Sequence, residues 1–133
     1  LVVVLIAAAS YSHLTLANEI IEAKRTTYAQ EKPAGEWLKA NSDEDDVIFV
    51  CNEDVPFQYY TERRIFKADG YNLTDLENLV AEYQPKYYVL DFYHWDCELE
   101  YVNEHQDNLS ITQVYNEGDQ PVIVIFNVLY AEK

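Results

Sequence analysis

The stretch "NLTDLENLVAEYQPKYYVLD", residues 72–91, reads as a helix feeding directly into a strand. Leu76, Leu79, Val80 and Tyr83 recur at helical spacing and form one apolar stripe. Thr74 and Glu77 have the T-x-x-E spacing of a capping box, which satisfies two orphan backbone donors at a helix start. Pro85 follows the helix end. "KYYVLDF" then continues as a short apolar run of strand formers. A helix joined so closely to a buried strand is half of a β-α-β unit. The flanking sequence decides the rest.

Upstream, "VIFVC" (47–51) is a continuous apolar run, as expected of a strand buried on both faces. "NEDVPFQYYTERR" reads as a loop with one helical turn holding Tyr59 and Tyr60. "RIFKA" (64–68) reads as a second strand, and its charged ends place it at a sheet edge. Downstream, "DCELEYVNEHQ" reads as a short helix with Asp96 as N-cap. "SITQVYN" and "VIVIFNVL" read as two strands joined by "NEGDQP", with the turn around Gly118. The last strand is apolar on both faces and belongs inside, with its hairpin partner at the edge. Right-handed crossovers make the first three strands parallel. The expected fold is α/β: a three-layer sandwich with a mixed, mostly parallel five-stranded sheet, order 2-1-3-5-4, ending in a β-hairpin.

The chain has 133 residues, which suits a single core. Its start, "LVVVLIAAAS", is apolar and uncharged. Nine such residues span ~14 Å as a helix, roughly half a bilayer core. Residues 1–15 are therefore expected to be the end of a truncated transmembrane helix. A buried core segment and an export signal lacking its front are the alternatives. Residues 16–32 read as a connecting amphipathic helix through Leu16, Ile20, Ala23 and Thr27. Residues 33–133 read as an extracytoplasmic α/β domain. It opens with the helix "PAGEWLKAN", with Pro33 in its first turn and Trp37 and Leu38 as core anchors.

There are 24 acidic residues against 9 basic ones, a formal charge of -15. Such a surface repels nucleic acid and anionic headgroups, so nucleic-acid binding is excluded. No G-x-G-x-x-G or G-x-x-x-x-G-K follows the first strand, which removes the usual phosphate cradles. Ser10, Ser12, Ser42 and Ser110 carry no elbow motif. Cys51 or Cys97 as a nucleophile needs a paired base, and His94 near Cys97 is the nearest candidate in sequence.

The residues with the look of chemistry are in "YYVLDFYHWDCELEY", 87–101. Asp91, His94, Asp96 and Glu98 are weak metal candidates, suited to a hard divalent cation but matching no EF-hand or H-E-x-x-H spacing. The plainer reading puts Asp96, Glu98 and Glu100 at a helix start, where the macrodipole favours negative charge. Cys51 ends the first strand and Cys97 follows the third, so a disulfide is within reach, given an oxidising compartment. Two unpaired thiols are the alternative. Asn72-Leu73-Thr74 and Asn108-Leu109-Ser110 are candidate N-glycosylation sequons.

The order of segments resembles a known family. "AGEWLKANSDEDDVIFVCNEDVPFQYYTERR", "NLTDLENLVAEYQPKYYVLD" and the closing "SITQVYNEGDQPVIVIFNVL" follow one another over roughly residues 30–129. The pattern resembles the C-terminal soluble tail of dolichyl-phosphate-mannose–protein mannosyltransferase-like proteins, multi-spanning membrane glycosyltransferases of the GT-C class. The carrying pieces are Trp37-Leu38, "DVIFV", Tyr59-Tyr60 with Arg63 or Arg64, and "PKYYVLD". Where that tail usually has a glycine before its arginine, this chain has Glu62. The resemblance implies a polyprenyl-phosphate sugar as donor, used on the outer face of the membrane, and a divalent cation in the parent enzyme. It places the catalytic acids in loops of a membrane part that this chain does not contain. No catalytic residue carries over, and this fragment is expected to bind no cofactor.

Three functions compete at this point. The first is a non-catalytic extracytoplasmic domain of such an enzyme, tied to the membrane by its N-terminal helix. The second is a single-span, membrane-anchored module that binds sugar or a protein partner through its Tyr and Trp residues. The third is a small metal-dependent enzyme at residues 91–100.

Overall fold

The computed structural model of the chain describes residues 28–52, 55–93 and 99–130. The expected membrane segment, and residues 16–27 of the connecting helix, lie outside them. Residues 28–30 form a turn, and Glu31 and Lys32 already belong to the next helix.

The two continuous apolar runs are the centre of the sheet. β1 (Val47–Cys51) and β3 (Tyr87–Asp91) are buried along their whole length and pair in parallel, Ile48 opposite Tyr87 through Cys51 opposite Leu90. β2 (Arg64–Lys67) pairs in parallel on the other side of β1, with exposed ends as its charges require. β5 (Gln120–Val128) runs antiparallel to β3, from Tyr87 opposite Asn127 to Asp91 opposite Ile123. β4 (Leu109–Glu117) flanks β5 and completes the order 2-1-3-5-4. Four strands thus point one way and β5 runs against them. The hairpin turns at Gly118, whose φ of +61° suits a residue without a Cβ. The pairing of β4 with β5 is irregular between Ile111 and Gln113 and again between Tyr115 and Asn116.

Helices cover both faces, as the alternation along the strands demands. On one face, α1 (Glu31–Ala40) and α2 (Val55–Thr61) pack Ala34, Leu38 and Phe57 onto Ile48, Val50, Val89, Ile123 and Ile125. On the other, α3 (Leu73–Tyr83) and the short α4 (Glu100–Glu104) pack Leu76, Val80 and Tyr101 onto Phe49, Cys51, Tyr88, Leu90 and Phe126. Each large side chain buried here contributes about 1.5–3 kcal/mol.

Several local expectations are corrected. α1 starts two residues before Pro33, which occupies a first-turn position where no N–H is needed. The single helical turn expected to hold Tyr59 and Tyr60 extends to the seven-residue helix α2, held inward by Phe57 and Thr61. The cap of α3 is Asn72, not Thr74: Asn72 Oδ1 accepts from the Asp75 N–H at 2.9 Å, and Asn72 Nδ2 donates to Asp75 Oδ2 at 2.7 Å. The reciprocal pair at this start is therefore Asn72 and Asp75, and Thr74 lies inside the helix. α4 begins at Glu100 without a side-chain cap, and Asp96 lies outside the described residues.

The C-terminus of α1 is closed by Arg63. Its Nη2 donates to the carbonyls of Lys39 (3.1 Å) and Ser42 (3.0 Å), and its Nε donates to Ser42 Oγ (3.1 Å). A cation at this position also complements the negative end of the helix dipole. Arg64 instead lies over the Tyr83 ring, 5.0 Å from its centroid, and shields the edge strand.

Candidate functional site

Of the four metal candidates, only Asp91 is among the described residues. It does not begin a loop. It is fully buried at the end of β3, and the ladder continues past it through the Phe92 N–H donating to the Val122 carbonyl at 2.8 Å. Asp91 Oδ1 accepts from the Tyr93 N–H at 3.0 Å, an Asx-turn that bends the chain out of the sheet. His94, Asp96 and Glu98 lie outside the described residues. Among the described residues no group of three or more His, Cys, Asp or Glu could hold a metal ion, so they offer no ligand set for a divalent cation. Glu100 stands in the first turn of α4, as the dipole argument expects.

Cys51 is 3% exposed and disulfide-bonded, while Cys97 lies outside the described residues. Beside Cys51 is a small cavity of about 10 Å³, lined by Ala68, Leu73, Leu76, Tyr88 and Tyr101 among others. That is room for about one water molecule and not for a substrate. The sequon residues Asn72 and Asn108 are both exposed, at the start of α3 and in the 3-10 turn Gln106–Asn108. They are at separate places on the surface and define no shared site.

A groove of about 420 Å³ lies between α1 and α2, lined by Lys32, Glu36, Lys39, Tyr59, Tyr60 and Glu62. Gly35 makes it possible. A Cβ there would stand 2.5 Å from Tyr60 Cβ, so only glycine lets the two helices approach this closely. Tyr60 is half-buried by that contact, while Tyr59 is exposed and meets it edge-to-face at 5.1 Å. Lys39 Nζ pairs with Glu62 Oε1 at 2.6 Å, and Lys32 with Glu36 at 3.9 Å along α1. The hydrogen bond from Lys39 holds the Glu62 carboxyl below its ordinary range. Sequence reasoning picked out Tyr59, Tyr60 and, as a departure from the family pattern, Glu62, but not Lys32, Glu36 and Lys39. The signal available was the Lys32, Glu36, Lys39 spacing on one face of α1, with Gly35 between them.

No helix among the described residues is long and apolar enough to cross a membrane. The chain matches no protein-family model and no curated protein. Among solved structures it is similar to the C-terminal globular domain of the oligosaccharyltransferase from Archaeoglobus fulgidus, with 9% identity and a TM-score of 0.49 over 73% of this chain and 95% of that one. At that identity no residue's role passes from one chain to the other.

Proposed function

We propose that this chain is the extracytoplasmic C-terminal domain of a multi-spanning membrane glycosyltransferase that takes sugar from a polyprenyl-phosphate donor, with no catalytic residue of its own. The carrying observation is the placement of the pieces on which the family resemblance rests. Trp37-Leu38, "DVIFV", Tyr59-Tyr60-Arg63 and "PKYYVLD" fall in turn on α1, β1, α2 with the Arg63 that closes α1, and β3. In this reading they are parts of one framework and none is a reaction centre. Membrane contact would come through the N-terminal residues. Donor and acceptor would be bound by the parent enzyme.

Cys51 being disulfide-bonded supports an oxidising, exported location, and its partner in this reading is Cys97. The exposure of Asn72 and Asn108 supports the same side, as candidate glycan carriers. A second reading, a single-span membrane-anchored binding module for sugar or a protein partner, is favoured by the exposed Tyr59. The gene sequence upstream of Leu1 separates the two. Several predicted spans are expected for the transferase, one span for the module, and a gene with none ends both. A thiol assay on the exported protein should find no free thiol before reduction and two after it; two free thiols beforehand would end the Cys51–Cys97 bridge.

A further inference from the structure

Three features of the groove between α1 and α2 point to one kind of ligand. Tyr59 leaves its side chain 76% exposed, braced by its edge-to-face contact with Tyr60 at an interplanar angle of 80°. A flat ring held in this way is a platform that gains when an apolar surface covers it. The charged lining of Lys32 and Lys39 against Glu36 and Glu62 cancels, on a chain whose total is -15. A charged ligand gains nothing net from these four groups, and an anion is repelled by the rest of the surface. A neutral ligand rich in hydroxyls meets two ammonium donors and two carboxylate acceptors. Glu62 also stands at φ +53°, a conformation that glycine adopts without steric cost. What a glutamate brings to that position is its carboxylate, set against Lys39 at the rim of the groove.

We propose that this groove binds a neutral sugar ring. Tyr59 stacks against the C–H face of the ring. Glu62 and Lys39 take the hydroxyls on one side, and Glu36 and Lys32 those on the other. The inference deepens the accessory role by naming what the domain touches, but it rests on the groove's own geometry. Loss of sugar binding would leave the transferase reading standing, and a gene without membrane spans would leave the groove standing.

The test is a titration of the full chain with methyl α-mannoside, methyl β-glucoside and N-acetylglucosamine, followed by amide chemical shifts, with glucuronate as the anionic control. Saturable shifts confined to residues around Gly35 and Tyr59–Glu62 are expected for at least one neutral sugar, with glucuronate weaker by about tenfold. Tyr59→Ala should weaken binding by about tenfold without lowering the unfolding temperature, because the ring is exposed. Glu62→Gly should weaken binding while holding or raising the unfolding temperature, a split that a merely structural residue does not give. No saturable shift with any neutral sugar, unchanged binding in Tyr59→Ala, or equal binding of glucuronate would each overturn the proposal.

Discussion

At the scale of residues, the polar groups of this domain mostly do structural work. Arg63 closes α1 through three hydrogen bonds that a shorter or singly pointed cation does not reproduce. Arg63→Met should lower the stability to urea by about 1–3 kcal/mol, and Arg63→Lys should recover little of it. Asp46 joins the start of β3 to the turn before β1, with Lys86 Nζ at 2.8 Å from its Oδ2. Partial burial raises the Asp46 pKa, but the hydrogen bonds from Lys86 and the Asp43 N–H outweigh it and leave the group below its ordinary range. A depressed carboxylate stabilises the fold at pH values above its unfolded pKa, and that contribution is lost as pH falls through the lower folded value. Stability should therefore fall below about pH 4, and Asp46→Asn should flatten that part of the profile in acid melts. The site was only half legible in the sequence. Tyr59 and Tyr60 stand out as adjacent aromatics, but Lys32, Glu36 and Lys39 are twenty or more positions away, and only the packing of α1 on α2 brings them together. Asp91 misled for the opposite reason: a carboxylate at a strand end reads as a loop start, but its own turn lets it sit inside.

At the scale of elements, the strands were plain and the helix ends were not. β1 and β3 follow from apolar runs that only a two-sided sheet can bury. The start of α3 offers two overlapping patterns, Asn72 with Asp75 and Thr74 with Glu77, and both satisfy the rule for a cap. Leu73 decides between them, because its packing against the core brings it into the helix and leaves Asn72 as the flanking residue. Asn72→Ala should cost about 1 kcal/mol of stability in thermal melts, while Thr74→Ala should change it by less than about 0.5 kcal/mol. The two variants remove the same sequon, so their difference isolates the cap from the glycan. α2 was read as a single turn because seven residues with two buried positions show too little periodicity to mark the full extent of a helix.

At the scale of the whole molecule, the sheet order was recoverable from apolarity, the charged ends of β2 and crossover handedness together, since an interior last strand and an edge partner leave one economical arrangement. The proposed bridge acts at this scale too. Tying Cys51 to Cys97 would close a loop through α2, β2, α3 and β3, so reduction should lower stability to denaturant by about 2–4 kcal/mol. No shift of the unfolding midpoint on reduction would count against that pairing. The two irregularities in the pairing of β4 have a consequence for the protein in company. A long, flat outer strand is a template on which a neighbouring chain can add its own, and a crowded surface multiplies such encounters. The offset at Ile111/Gln113 leaves Thr112 as an extra residue on β4 and interrupts the row a neighbour would copy, while the offset at Tyr115/Asn116 falls on Val122 of β5 and adds twist to the pair, so the margin stays open to solvent without inviting fibre growth.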